Sequence, residues 1–367
     1  MVNKMINLKF FTPIVDKISR IIIKTSTLLI VAILLTSSCN TFLGKQPQVL
    51  LVTPIGEWKL YDVENITWSM DSLSFAVLGN EKDDNVFGVY MYRASDPGKD
   101  WFHKVDISFG LAFSPDNQVI AIPTFPLLIL LDQNTGELIK EVGDYKLQPC
   151  FGIEQIKYSS DGKKIFSLNT VAGIGNEYSE IFVWDSEGEQ CQGSLIQEKG
   201  TAFNFELSQD GEFLVLGLSK IGKDAEQQVH VWDIGKKKII CSFPGGEPVS
   251  FSSRGNIIAA KNLNNQKDID LWDSESCNFI VTIHSKIITK VYSADISPDG
   301  KLLAIGGSDA FQIWDVVSRK LMFESEKLPN AVKILAFSPN GNFLLTEMDR
   351  ISMNDQAIIT LWSVTNK

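Results

Sequence analysis

Histidine is scarce in this chain of 367 residues, which contains only His103, His230 and His284. No H-x-x-x-H spacing occurs among them, and they lie far apart in the sequence. The pattern therefore indicates neither a histidine-based metal centre nor a Ser-His-Asp triad. We predict a protein with no catalytic residues, no metal ligands and no cofactor.

Positive charge is also in short supply, with 34 lysine and arginine residues against 44 aspartate and glutamate residues. The first 38 positions hold five of the basic residues and one of the acidic residues, so the remaining chain has a formal charge of −14. A body this acidic repels phosphate backbones, and no basic stripe offsets the repulsion. We therefore expect no nucleic-acid partner.

The uncharged run Thr25–Ser38 has 14 residues, fewer than the roughly 20 that a membrane-spanning helix needs. It follows a basic segment and fits the apolar core of a signal peptide. The run ends in LLTSSCN, which resembles the lipobox of bacterial lipoproteins, although Thr36 stands where that family usually has leucine. The resemblance implies a signal peptide over 1–38, a lipidated Cys39 as the new first residue, and a linker over 39–47. An uncleaved membrane anchor, a cleaved soluble export signal and a buried helix of a cytosolic protein are the alternatives.

A turn motif recurs seven times along the rest of the chain, as in SPDG at Ser297–Gly300. Serine, proline, aspartate and glycine in this order favour a tight hairpin turn between two apolar runs. A third run ending in Trp-Asp follows in four copies: Ile181–Asp185, Val229–Asp233, Ile269–Asp273 and Phe311–Asp315. The residues just before the turns are 45, 45, 49, 44, 45 and 41 positions apart: Trp68, Phe113, Tyr158, Leu207, Phe251, Ile296 and Phe337. Four short antiparallel strands per period of about 45 residues are typical of a propeller blade.

This pattern resembles the WD-repeat β-propeller family over residues 48–367. The resemblance implies an all-β fold, a monomeric seven-bladed β-propeller of four-stranded antiparallel blades. Blades 1 and 2 depart from the family, with Val89–Arg93 and Leu127–Asp132 in place of the Trp-Asp run, and the family's Gly-His dipeptide before the first strand is missing throughout. We therefore interpret the tryptophans as blade packing and expect the blades to rely on apolar contacts.

The two ends of the repeat region predict how the ring closes. The last repeat stops after its third strand at Val364, and the unassigned apolar run Gln48–Ile55 precedes the first repeat. Pairing this N-terminal strand with the last blade supplies the missing fourth strand and leaves no open sheet edge.

Four cysteines lie within the repeats, namely Cys150, Cys191, Cys241 and Cys277, without a C-x-x-C pair. The last three fall at or near predicted outer strands, where neighbouring blades splay apart. We therefore expect free thiols, with one disulfide that involves Cys150 as the alternative.

The loops between second and third strands are longer than the tight turns between first and second strands, and in a propeller they emerge on one face around the channel. Polar loops on a rigid scaffold commonly carry recognition, and sequence drift is the alternative interpretation. The candidate partner-binding residues in these loops are Asp83, Asp84, Asn176, Glu177, Tyr178, Lys223, Asp224, Asn264, Asn265, Asp349, Arg350 and Asn354.

These observations favour a non-enzymatic scaffold, exported and membrane-anchored, that binds another protein at the cell envelope. A propeller enzyme or small-ligand binder that uses the central channel is one alternative, and the ectodomain of a membrane sensor is another. Fold alone does not distinguish among these functions.

Overall fold

The computed structural model describes residues 50–81, 86–106, 108–124, 127–142, 153–171, 177–186, 191–220, 226–252, 254, 256–352 and 355–366. Within this part of the chain the fold is all-β, with seven four-stranded antiparallel sheets. The sheets are the blades of a propeller, and the first strand of each blade lines the central channel. The residues described contain no helix with the length and apolar character of a membrane span. The predicted signal peptide, Cys39 and the linker lie outside these residues.

Blades 1 to 6 each take four consecutive strands. Blade 1 contains β2 (Asp62–Trp68), β3 (Ser74–Asn80), β4 (Phe87–Arg93) and β5 (Asp96–Lys104), and blade 2 contains β6 (Ala112–Phe113), β7 (Val119–Pro123), β8 (Leu128–Asp132) and β9 (Leu138–Val142). Blade 3 contains β10 (Ile153–Tyr158), β11 (Lys164–Val171), β12 (Tyr178–Asp185) and β13 (Cys191–Lys199), and blade 4 contains β14 (Thr201–Leu207), β15 (Phe213–Ser219), β16 (Gln227–Asp233) and β17 (Lys238–Pro244). Blade 5 contains β18 (Gly246–Phe251), β19 (Ile257–Lys261), β20 (Asp268–Asp273) and β21 (Phe279–His284), and blade 6 contains β22 (Ser293–Ile296), β23 (Leu302–Gly306), β24 (Phe311–Asp315) and β25 (Lys320–Glu324).

Blade 7 closes the ring by combining the two ends of the fold. Its outer strand comes from the N-terminal side of the repeats and pairs antiparallel with the last strand of the chain. The predicted closure is therefore confirmed. The strands of this blade are β1 (Leu50–Leu60), β28 (Ala357–Asn366), β27 (Phe343–Met348) and β26 (Val332–Phe337).

The closing strand β1 is longer than predicted, because it continues beyond Ile55 to Leu60. Pro54 and Gly56 would ordinarily end a strand, but here the register shifts between them. A β-bulge at a sheet edge tolerates a proline and lets pairing resume. The resumed segment brings Trp58 and Leu60 into the core between blades 7 and 1.

The hairpin turns between first and second strands have the same hydrogen bonds in almost every blade. In blade 6, Ser297 Oγ donates to Asp299 Oδ1 over 2.8 Å and accepts from the Leu302 amide over 2.9 Å. The corresponding serine donates to an aspartate or asparagine in blades 1, 2, 3, 4 and 7. The next residue has a positive φ, as in Gly300, or in Asn117 where glycine is replaced. These turns are made by contacts between near neighbours in the sequence, which is why the motif predicts them.

Apolar side chains fill the space between neighbouring blades, as the sequence predicts. Phe75 and Val77 of blade 1, for example, pack in one cluster with Leu345 and Leu361 of blade 7. The tryptophans of the Trp-Asp pairs lie in these layers, and within the described residues Nε1 of Trp232 and Trp272 has no hydrogen-bond partner: blades 4 and 5 hold these rings by packing.

The prediction of free thiols is wrong for Cys241 and Cys277, which form a disulfide between blades 4 and 5. Cys241 lies in the outer strand β17, whereas Cys277 lies in the connection between β20 and β21. The connection reaches across the gap between the blades, so that the two Cα atoms are 6.2 Å apart, a separation that a disulfide spans. Cys191 is also disulfide-bonded, and its predicted free thiol is equally wrong. Cys150 lies outside the described residues.

Candidate functional site

The loops between second and third strands open at one end of the blades, which we call the long-loop face. The tight turns between first and second strands lie at the other end, which we call the turn face. Six of the predicted partner-binding residues are described by the structure, and they lie at the long-loop face in blades 3, 5 and 7: Glu177, Tyr178, Asn264, Asn265, Asp349 and Arg350. The other site residues lie outside the described part of the chain: Cys39, Asp83, Asp84, Asn176, Lys223, Asp224 and Asn354.

The predicted residues in blades 3 and 5 are held by main-chain bonds that leave side chains partly exposed. The Glu177 carbonyl accepts a hydrogen bond from the Gly200 amide over 3.0 Å, just before β12 begins. In blade 5, Asn262 Oδ1 accepts from the amides of Asn264 and Asn265 over 2.8 and 2.9 Å. These bonds fix the loop backbone and leave the Asn264 side chain at the surface.

Of the two predicted residues in blade 7, Arg350 bridges the ring closure at the long-loop face, whereas Asp349 pairs within its own blade. Asp349 Oδ2 lies 2.6 Å from Lys333 Nζ of the same blade. Arg350 turns to blade 1, where Nη1 donates to the Tyr61 carbonyl over 3.2 Å and Nη2 lies 3.9 Å from Asp62 Oδ1. Both charged side chains are thus already engaged in the free protein.

A pocket of about 310 Å³ opens beside these residues, between blades 7 and 1. Glu347 of β27 lines it and is only 3% exposed, and within the described residues its Oε2 has no hydrogen-bond partner. Burial raises the pKa of Glu347 to about 8; the carboxylates of Asp349 and Asp62 add to the rise and Lys333 opposes it. Glu347 is the residue that the sequence analysis missed.

The residue at the register position of Glu347 can be compared among the blades. Glu347 pairs with Ile334 of β26. It lies three positions after Leu344, which pairs with Phe337, the last residue of the first strand of this blade. The same register in four other blades holds a leucine or a glycine: Leu78, Leu168, Gly217 and Gly306. The same register in blade 5 holds Lys261, so a charged side chain occurs there twice, and Glu347 is the one carboxylate among these six positions.

Replacing Glu347 with glutamine is expected to raise the free energy of unfolding by about 2 kcal/mol near pH 8. The unfolded chain releases the proton near the ordinary pKa of 4.5, whereas the native protein holds it to about pH 8. The native state binds more protons between these values, so the wild-type stability falls as the pH rises through this window. Glutamine removes that loss, although its buried amide retains part of the cost of burial.

Urea unfolding followed by circular dichroism at about pH 5 and about pH 8 measures this effect. The increase in the free energy of unfolding caused by Glu347→Gln should be small at the lower pH and large at the higher one. Glu57→Gln, which removes an exposed carboxylate of β1, should leave the free energy of unfolding unchanged at both pH values. Equal stabilisation at both pH values would contradict the assignment of a proton to native Glu347.

A second cavity, of about 520 Å³, lies in the central channel toward the turn face and is lined by all seven blades. Its buried carboxylate, Asp295, accepts hydrogen bonds from Ser250 Oγ and the Phe337 amide, each over 2.7 Å. Burial raises the pKa of Asp295 to about 6 despite these bonds. Because Ser250, Asp295 and Phe337 belong to blades 5, 6 and 7, the carboxylate joins three blades around the channel.

The three histidines each contact an oxygen atom in a different part of the ring. His103 Nδ1 lies 2.9 Å from the Gly136 carbonyl, His230 Nδ1 lies 3.4 Å from Glu198 Oε1, and His284 Nδ1 lies 2.8 Å from Asp268 Oδ2. In the described residues no group of three or more His, Cys, Asp or Glu side chains is arranged to hold a metal ion.

Two comparisons with known proteins agree with this architecture. Residues 275–315 match the family described as "WD domain, G-beta repeat", a segment that runs from just before β21 to the end of β24. The chain is also 32% identical over 106 residues to "Eukaryotic translation initiation factor 3 subunit I" of Scheffersomyces stipitis, an alignment that spans 28% of this chain and 29% of that protein. Together with the seven-bladed fold, the repeat match supports a WD-repeat propeller.

Proposed function

We propose that this chain is a non-enzymatic scaffold whose long-loop face binds another protein, and that it is exported and held at a membrane by a lipid on Cys39. The observation that carries the scaffold proposal is the contrast between the two faces. At the turn face, polar groups bond to the neighbouring turns: Ser72 Oγ accepts from the Asn340 amide over 3.0 Å, and Asn117 Oδ1 accepts from the Met70 amide over 2.8 Å. At the long-loop face, the described loop residues of blades 3, 5 and 7 differ from one another and include Glu177, Asn264 and Asp349, and polar loops on a rigid scaffold commonly carry recognition.

The disulfides support the proposed export. Cys241, Cys277 and Cys191 are all oxidised, and disulfides persist in secreted and periplasmic proteins but are rare in reducing compartments. The signal-peptide pattern over 1–38 and the small residues before Cys39 point in the same direction. A propeller that begins at Leu50 would then stay close to the membrane surface, because 11 residues after Cys39 reach at most about 40 Å.

The comparisons support a role in assembly more than one in catalysis. The similar translation protein is named as a subunit, which is a component of a larger assembly. In the channel, the buried carboxylate is already bonded to two other blades, so that its arrangement is explained by the ring without a reaction. The scaffold is therefore the function that the geometry supports best.

Site-specific photo-crosslinking on the full-length chain in cells tests both parts of the proposal. A photoreactive side chain at Asn264 on the long-loop face should capture a defined protein, whereas the same group at the exposed Lys163 of the turn face should not. Cys39→Ala should move the protein from the membrane fraction to the soluble fraction and weaken capture of an envelope partner. Equal capture from both faces would overturn the scaffold assignment, and membrane retention of Cys39→Ala would overturn the lipid anchor.

A further inference from the structure

The pocket between blades 7 and 1 has an uncompensated negative charge. Its walls carry four carboxylates and two cationic side chains. Lys333 already pairs with Asp349, and Arg350 bonds to blade 1, so both cations are engaged. In the described part of the chain, Glu64 and Glu347 have no ion-pair partner within 4 Å, although both line the pocket.

Glu347 is the deepest of these groups and lacks the bonds that a buried polar side chain ordinarily makes. Nearly all buried polar atoms in proteins have a partner, and an unpartnered one needs a reason. Glu347 Oε2 is inaccessible to solvent and has no hydrogen-bond donor within the described residues. Its position holds leucine or glycine in four other blades and Lys261 in blade 5, so the blade framework does not require a carboxylate there.

We propose that this pocket receives a lysine or arginine side chain of the partner protein and that Glu347 is its counterion. The inference rests on the proposed scaffold function, since the pocket opens at the long-loop face beside Asp349 and Arg350. A cationic side chain in the pocket would balance the charge of Glu64 and Glu347, which line it, and charge-assisted interactions with carboxylates are stronger than those between neutral groups. An anionic ligand would instead meet two unpaired carboxylates. A partner's side chain would also enter from the face that carries the recognition loops.

The protonation of Glu347 gives the proposal a distinctive pH dependence. A cation binds the ionised form, and the native pKa of about 8 means that little of this form exists at pH 6.5. The affinity for a cationic probe should therefore rise about 20-fold between about pH 6.5 and about pH 8.5. The charged groups that face Glu347 are Asp62 and Glu64 of β2, Lys333 of β26, and Asp349 and Arg350 after β27.

The test uses the full-length chain in detergent micelles and N-acetyl-arginine methylamide as the probe. Binding is followed by the methyl resonance of Ile334, which lines the pocket. The probe should shift this resonance, and its neutral isostere N-acetyl-citrulline methylamide should not. At about pH 8.5, Glu347→Gln, which is expected to fold with increased stability, should bind the probe at least tenfold more weakly than wild type, and its affinity should not depend on pH. The exposed carboxylate variant Glu57→Gln should bind as wild type does.

Three results would overturn the pocket assignment: equal binding of the citrulline compound, unchanged binding by Glu347→Gln, or an affinity independent of pH. Tighter binding of free spermidine than of the arginine probe would replace the partner's side chain with a free polyamine. The photo-crosslinking test is separate, because capture at Asn264 without probe binding would leave the scaffold standing and remove the pocket. Probe binding without capture from the long-loop face would keep the cation-binding pocket and remove the scaffold function.

Discussion

Replacing Trp58 with alanine is expected to lower the free energy of unfolding by about 4 kcal/mol. Trp58 lies in β1, the closing strand of blade 7, and its side chain packs in the cluster that joins blade 7 to blade 1. Its ring packs edge-on against Phe75 with centroids 4.9 Å apart and lies 5.6 Å from Tyr92. Its Nε1 donates to the Pro97 carbonyl over 2.8 Å. The substitution therefore leaves a cavity and an unpaired carbonyl where the ring closes.

Chemical unfolding followed by far-ultraviolet circular dichroism measures this loss, because the signal does not depend on the removed tryptophan. Ile55→Ala is the matched control, since Ile55 lies in the same strand and is 51% exposed. Its loss should stay below about 0.5 kcal/mol. Equal losses for the two variants would mean that the closure depends on the main-chain pairing of β1 with β28 and not on Trp58.

Removing the disulfide with the double substitution Cys241→Ser and Cys277→Ser is expected to cost about 3 to 4 kcal/mol. The bond closes a segment of 36 residues that crosses from the outer strand of blade 4 through three strands of blade 5. A cross-link of this length restricts the unfolded chain, and its loss returns that conformational freedom. The native blades should keep their packing, because each serine replaces a half-buried sulfur at the propeller rim.

Urea unfolding without reductant compares the double variant with wild type. The single variant Cys241→Ser provides the control, because it breaks the same bond and should lose the same stability. Ser276→Ala, next to Cys277, keeps the disulfide and should lose about 1 kcal/mol through the hydrogen bond to Asp273. A double variant as stable as wild type would show that the packing of blades 4 and 5 already restricts the unfolded chain as far as the bond does.

The blade architecture was predictable because its signals are local. Ser297 and Asp299 bond within the turn between the first and second strands of blade 6. In the turn between the third and fourth strands of blade 5, Asp273 Oδ1 accepts a hydrogen bond from the Ser276 amide over 2.7 Å. Such bonds need only residues that are close in the sequence, so the same residue types recur wherever the same turn recurs. Seven repeats at nearly equal spacing then imply a closed ring, and the apolar run before the first repeat supplies the strand that the last one lacks.

The candidate site was predictable only in outline. Loop length predicts which face carries polar side chains, and the structure places Asn264 and Asp349 on that face. The hydrogen-bond and ion-pair partners of Arg350 were not predictable, because Tyr61 and Asp62 are 289 and 288 positions away along the chain and meet it only when blade 1 and blade 7 join. Glu347 was missed because a single carboxylate in an apolar strand has no pattern of its own.

The sequence by itself determined the number of blades, the strand order within each blade and the pairing of the two ends, because these follow from short-range turn bonds repeated at a regular spacing. Only the tertiary structure decided which cysteines are bonded, how far β1 extends, and that Glu347 is buried without a donor beside a pocket. Each of these depends on distances between different blades, and such distances arise from the packing of the whole ring rather than from any one repeat.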